Sequence, residues 1–181
     1  MEKSAALTQP VSARDYTEGP ADAPLTLVEY GDYQCPYCGA AYPVVKHLQK
    51  TLGKKLRFVF RNFPLTQAHP YALIAAEAAE AAALQDKFWQ MHDLLFEQQA
   101  FLEPDIIPLW AKRIGLDLEK FGSDIKQVVV DKRIMEDRQS GIRSGVNGTP
   151  TFFINGTRYD GSPNYDSLLA ALKSELELRP V

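Results

Sequence analysis

Two cysteines are all that this chain of 181 residues carries, and they stand three apart in the run Cys35-Pro36-Tyr37-Cys38. The run follows a strand-like segment and opens a helical one, and that context decides what chemistry it can do. A cysteine at a helix N-terminus faces unpaired backbone N–H groups and the positive end of the helix dipole, which stabilise its thiolate and lower its pKa. Cys35 is therefore the expected nucleophile. Cys38, one turn further on, is within reach of Cys35 and faces inward, so it can attack a mixed disulfide and release the bound partner. A buried thiol must lose its proton to do so. Glu29 on the preceding strand is the nearest carboxylate able to take it, with Asp32 as the competing candidate.

Other uses of such a pair fit less well. Half of a zinc or iron-sulfur site would need two more ligands. There is no third cysteine, and His47, His69 and His92 lack ligand-pair spacing. No metal is expected within one chain, while a cluster shared by two chains stays open. A purely structural disulfide closing so small a loop would add little stability. A second constellation, Gly148-Thr149-Pro150, precedes the strand-like run from Thr151, where a proline alone reads as a turn residue.

Around these residues the composition is that of an ordinary globular chain, 45% hydrophobic and 24% charged, long enough to bury a proper core. Twenty Lys and Arg against 23 Asp and Glu leave no basic surplus to hold a phosphate backbone, so no nucleic acid partner is expected. No apolar run approaches a membrane span, so no membrane insertion is expected. Ala5-Ala6-Leu7 is cut off by Thr8, Gln9 and Pro10, too early for a secretory signal; the chain as written is expected in the cytoplasm, or in the periplasm or another extracytoplasmic space if a leader has been removed.

The elements that must position the cysteines follow from pattern. Residues 1–24 are polar, punctuated by Pro10, Gly19, Pro20 and Pro24 and without a sustained helical or strand period, and read as an arm that becomes ordered late. Leu25–Tyr30 reads as a buried strand, Pro36–Leu52 as a helix opened by Pro36 and kinked at Pro43, and Leu56–Arg61 as a second strand. From about Gln67 to Arg143 only helices are expected. They run from Tyr71 to Leu84, from Asp86 to Gln98, from Pro104 to a stop at Gly115, and from a Ser123 cap towards Gly145. Phe88, Trp89, Leu95 and Trp110 in this block read as packing. Thr151–Ile154, Asn155-Gly156 and Thr157–Tyr159 predict a hairpin with a type I′ turn, and Tyr165–Leu178 a closing helix. The expected organisation is an arm (1–24), an α/β domain (25–66 and 144–181) and an inserted helical domain (67–143).

With Cys-Pro-Tyr-Cys after a strand and Thr-Pro opening a late hairpin, the chain resembles the thioredoxin superfamily, and the helical insertion makes it similar to the DsbA family over most of residues 24–178. The resemblance implies a thioredoxin fold with an all-helical insertion and a thiol-disulfide oxidoreductase working on thiol- or disulfide-containing proteins, recycled by a redox partner. It implies that Pro150 is cis and lies beside the cysteines, that Thr149 offers its backbone to an extended substrate, and that Glu29 is a buried acid beneath Cys38. Pro36 and Tyr37 would tune the thiolate. The periplasmic oxidase carries Pro-His at those two positions and glutaredoxins carry Pro-Tyr, so the direction of exchange is left open across a range of about 150 mV, or about 7 kcal/mol. No cofactor beyond the redox-active disulfide is expected, with glutathione as an optional co-reactant. A glutathione-dependent transferase or isomerase of the same fold typically lacks the second cysteine, and a non-catalytic peptide-binding module is the remaining alternative.

Overall fold

The computed structural model describes residues 5–178. Residues 1–4 of the expected arm and 179–181 of the expected closing segment lie outside them. Among the described residues the chain forms five strands and seven α-helices. The strands are β1 (Tyr16–Glu18), β2 (Leu25–Gly31), β3 (Leu56–Asn62), β4 (Thr151–Ile154) and β5 (Thr157–Tyr159). They form one sheet in the order β1-β3-β2-β4-β5, with β2 and β3 parallel and the other neighbours antiparallel.

The parallel pair needs a crossover, and α1 (Pro36–Leu52) supplies it. Its inward side chains Cys38, Ala41, Val45, Leu48 and Leu52 recur at helical spacing and pack on the sheet face formed by Leu25, Leu27, Phe58, Phe60, Phe152 and Ile154. Leu168 and Leu172 of α7 (Tyr165–Glu177) complete that cover. The period of two along β2 gives Glu29 the same face as Leu25 and Leu27, while Val28 and Tyr30 belong to the opposite one with Val59 and Phe153.

Between β3 and β4 come α2 (Ala72–Ala83), α3 (Phe88–Glu97), α4 (Ile107–Arg113), α5 (Leu118–Asp124) and α6 (Val128–Arg143). The buried alanines of α2 keep that helix slim enough to pack tightly, and the main hydrophobic cluster runs unbroken from the sheet into Met91, Leu95, Trp110 and Phe121. Phe88, Leu95 and Trp110 are buried in it and Trp89 packs against its edge. Asn155 and Gly156 both take positive φ, 48° and 86°, as a type I′ turn between β4 and β5 requires.

Three local expectations need correction. The arm is not strand-free: β1 pairs antiparallel with β3, and at the other edge Ala6 bridges to Thr157. Its order comes from partners far away in sequence, which its polar composition could not announce. Arg61, 1% exposed, donates to Gln9 and Pro10 carbonyls and to both Asp15 carboxylate oxygens, with Nε at 2.8 Å from Oδ1. Second, Ser123 does not cap α6. It lies inside α5, which Asp117 caps by accepting from the Lys120 N–H, and α6 starts only after Gln127 has closed a turn on Asp124. Third, Pro104 opens a 3₁₀ turn (Pro104–Ile106) rather than the helix itself, and α4 follows with Pro108 in its first turn.

Candidate active site

The end of β2 and the start of α1 bring the cysteines together. Cys35 is the N-cap residue of α1, in extended conformation (φ −67°, ψ 121°), and Pro36 occupies the first turn, where a missing N–H costs nothing. Both thiols are free. Cys35 is 3% exposed, Cys38 is fully buried, and Tyr37 between them is 73% exposed.

The thiols are strongly differentiated. A hydrogen bond from Cys38 does most to stabilise the Cys35 thiolate; the Thr149 contact and backbone N–H groups of the first helical turn add to it, and the pKa falls to about 5 against the opposing cost of burial. When protonated, Cys35 Sγ donates to the Thr149 carbonyl at 3.4 Å. Burial first, then the hydrogen bond to Cys35 and the charge of Glu29, hold Cys38 well above the ordinary thiol range.

Glu29 lies beneath the pair, its strand neighbours Phe60 and Phe152 on either side. Its Oε1 is buried without a hydrogen-bond partner. An ionised carboxylate is costly in such a place, and burial, followed by repulsion from Cys35, pushes its pKa up to about 8. At neutral pH Glu29 is thus an uncharged acid within electrostatic reach of both sulfurs.

Asp32, the competing acid, is otherwise engaged. Its Oδ1 accepts from the Gln34 and Cys35 N–H groups at 2.8 and 3.2 Å, and its Oδ2 accepts from the Leu65 N–H at 2.9 Å and faces His69 Nδ1 at 2.8 Å. The Asp32 N–H points at Cys38 Sγ, 3.4 Å away. Asp32 therefore braces the loop through both carboxylate oxygens. Asp at two and three residues before N–H groups it can accept from is a turn signal readable in sequence. The partnership with His69, 37 residues on, has no such signal, nor has the Tyr71 N–H that donates to Gln34 Oε1 at 2.6 Å. Of the other histidines, His92 is buried against the Tyr33 hydroxyl and His47 stacks on Tyr165. Among the described residues no group of three or more His, Cys, Asp or Glu side chains is arranged to hold a metal ion.

The sheet order brings the second constellation to the first, because β4 pairs with β2 and begins just after Pro150. The Thr149–Pro150 peptide is cis. Thr149 presents its carbonyl to Cys35 Sγ, and its buried hydroxyl lies close enough to help hold the Cys35 pKa down.

A family model described as thioredoxin matches residues 12–174. The Na(+)/H(+) antiporter NhaA 1 of Salinispora arenicola is 48% identical over 170 residues, which make up 92% of this chain and 26% of that protein; the chain thus spans about a quarter of the length of such relatives. Among solved structures, oxidised BdbD of Bacillus subtilis superimposes with a TM-score of 0.83 at 25% identity, covering 97% of this chain and all of that one. The thiol-disulfide exchange protein alpha-DsbA2 of Wolbachia pipientis shares the fold with a TM-score of 0.79 at 24% identity, over 93% of this chain and 89% of that one.

Proposed function

The chain belongs to the DsbA-like family of the thioredoxin superfamily, and we propose that it is a dithiol-disulfide oxidoreductase exchanging disulfides with protein partners through Cys35 and Cys38. The observation that carries this reading is the asymmetry of the pair, with one thiol held as a thiolate at the mouth of α1 and its neighbour held protonated below.

In the donating direction a partner thiolate attacks Cys35 Sγ of the Cys35–Cys38 disulfide. The S–S bond breaks, and Cys38 leaves with the electron pair and takes the Glu29 proton. A second thiolate of the partner then attacks the partner's sulfur in the mixed disulfide, forming the partner disulfide and expelling Cys35 as the stabilised thiolate. The partner is oxidised by two electrons and the pair is reduced. In the accepting direction every step reverses, and Glu29 takes the proton from Cys38 after first releasing its own to solvent. Pro36, Tyr37, Thr149 and Pro150 form the surface on which the partner's chain lies. The pair carries the electrons itself, without a resident cofactor, and a second redox protein or glutathione resets it.

The thiolate favours donation. Relative to a thiol of pKa about 7 as in thioredoxin, a lower one stabilises the reduced form at pH 7 by about 2 kcal/mol, which raises the potential above that of thioredoxin by roughly 40–50 mV. Such a pair rests oxidised only in an oxidising compartment. We therefore place it in an extracytoplasmic space, the alternative to the cytoplasmic expectation. The antiporter name belongs to relatives four times as long; this reading rests on the shared segment alone. Equilibration with a glutathione buffer series, read by thiol alkylation and mass, tests it. A pair at or below about −270 mV overturns the donating direction, and a pair that does not cycle overturns the enzyme.

A further inference from the structure

The loop that carries Cys35 is held from one side by Asp32. From the other side a side chain of the helical block reaches its main-chain carbonyls. Gln99, in the 3₁₀ turn Gln99–Phe101 that follows α3, directs its Nε2 at two main-chain carbonyls, Tyr33 O at 2.8 Å and Cys35 O at 2.9 Å. Cys35 O also accepts the Gly39 N–H at 3.0 Å, the first hydrogen bond of α1. The Gln99 carboxamide thus completes the acceptor side of the turn whose N–H groups face the Cys35 sulfur.

Gly39 makes the approach feasible. Its φ is ordinary for a helix, so no backbone requirement explains a residue that weakens helices by about 0.5–1 kcal/mol relative to alanine. A Cβ there would collide with Gln99 Oε1 and lie 2.9 Å from its Cδ. The space left by the missing side chain is filled by the carboxamide.

We propose that Gln99 is a positioning residue for the Cys35–Cys38 loop, its carboxamide seated over Gly39 and holding the Tyr33 and Cys35 carbonyls so that the first turn of α1 is fixed by the helical block. Two N–H···O bonds from one group pin residues on both sides of Gln34, which leaves the turn little freedom to rotate its N–H groups away from the sulfur. The helical insertion then contributes to the chemistry through one side chain as well as through shared core. This inference rests on Cys35 being the activated thiol.

Thiolate absorbance of the reduced full chain, titrated between about pH 3 and 10, reads it without any activity assay. Gln99→Ala and Gly39→Ala should each raise the Cys35 pKa by about half a unit, the worth of about half an ordinary hydrogen bond. At a pH well below the midpoint, that is about threefold less thiolate. In Gln99→Ala/Gly39→Ala the shift should equal that of Gln99→Ala alone, because the new methyl group then has nothing to displace. Gln99→Met, of similar volume but without donors, should behave as Gln99→Ala, which separates the hydrogen bonds from simple packing. An unshifted titration in either single alanine variant, additive shifts in the double, or a wild-type titration in Gln99→Met overturns the inference. A wild-type thiolate that itself appears only near about pH 9 instead overturns the oxidoreductase reading beneath it.

Discussion

Replacing Cys38 by alanine isolates the contact that does most to hold the Cys35 thiolate. A hydrogen bond to a charged group contributes ~1.5–3 kcal/mol. At about 1.36 kcal/mol per unit, losing it should raise the Cys35 pKa by ~1–2 units, from about 5 to ~6–7. The Thr149 side-chain contact and the helical N–H groups remain, so the value should stay below that of an ordinary thiol. Thiolate absorbance is the direct assay, since alkylation mixes two effects of opposite sign. Around pH 5 the variant has fewer thiolates and should react more slowly. At about pH 8 both proteins are almost fully ionised, and the variant's more basic thiolate should react ~3–10 times faster, following a Brønsted slope of ~0.4–0.5. A pKa that stays at about 5 in Cys38→Ala would refute the reasoning and transfer the whole effect to the end of α1. So would a slower reaction at that higher pH.

Glu29→Gln should alter the pH dependence of stability in the reduced protein. Glu29 is neutral in the folded chain up to about pH 8 and ionises near 4.5 when unfolded, so its stabilising neutral burial is intact below pH 4.5 and lost as pH rises towards 8, by up to ~1.4 kcal/mol per unit. Urea midpoints of wild type and variant should diverge in favour of the uncharged variant across that window; parallel curves would mean that Glu29 is not held protonated. Arg61→Met strands the buried Asp15 carboxylate and frees the arm, at a cost of ~3–5 kcal/mol in urea unfolding; a loss below ~1 kcal/mol would show that the arm is held by β1 pairing alone. Tyr37→His should raise the reduction potential, but by no more than ~20 mV given the exposure of that position; an unchanged glutathione equilibrium counts against tuning by the central dipeptide.

The local chemistry was legible because it is written in neighbouring residues. A cysteine pair one turn apart, a proline able to open a helix and a β-run before it suffice to place one thiol at a helix end and a second in the core. The compact apolar run of β2, the β-rich run of β3, the Asn155-Gly156 turn and the helical spacing of α1 are likewise local codes. What tertiary structure alone decided are the relations between segments far apart in the chain. The polar arm becomes ordered because Arg61 and β3 receive it. Thr149 meets Cys35 because β4 adds to β2, across 114 positions. The different surroundings of the two acids also emerge only in the fold: Asp32 accepts from Gln34, Cys35 and Leu65 and faces His69, whereas Glu29 has Phe60 and Phe152 as strand neighbours and keeps an oxygen unpaired. Sequence determines which groups can do thiol chemistry; burial and hydrogen-bond competition, which set the protonation of each, exist only once distant segments have packed.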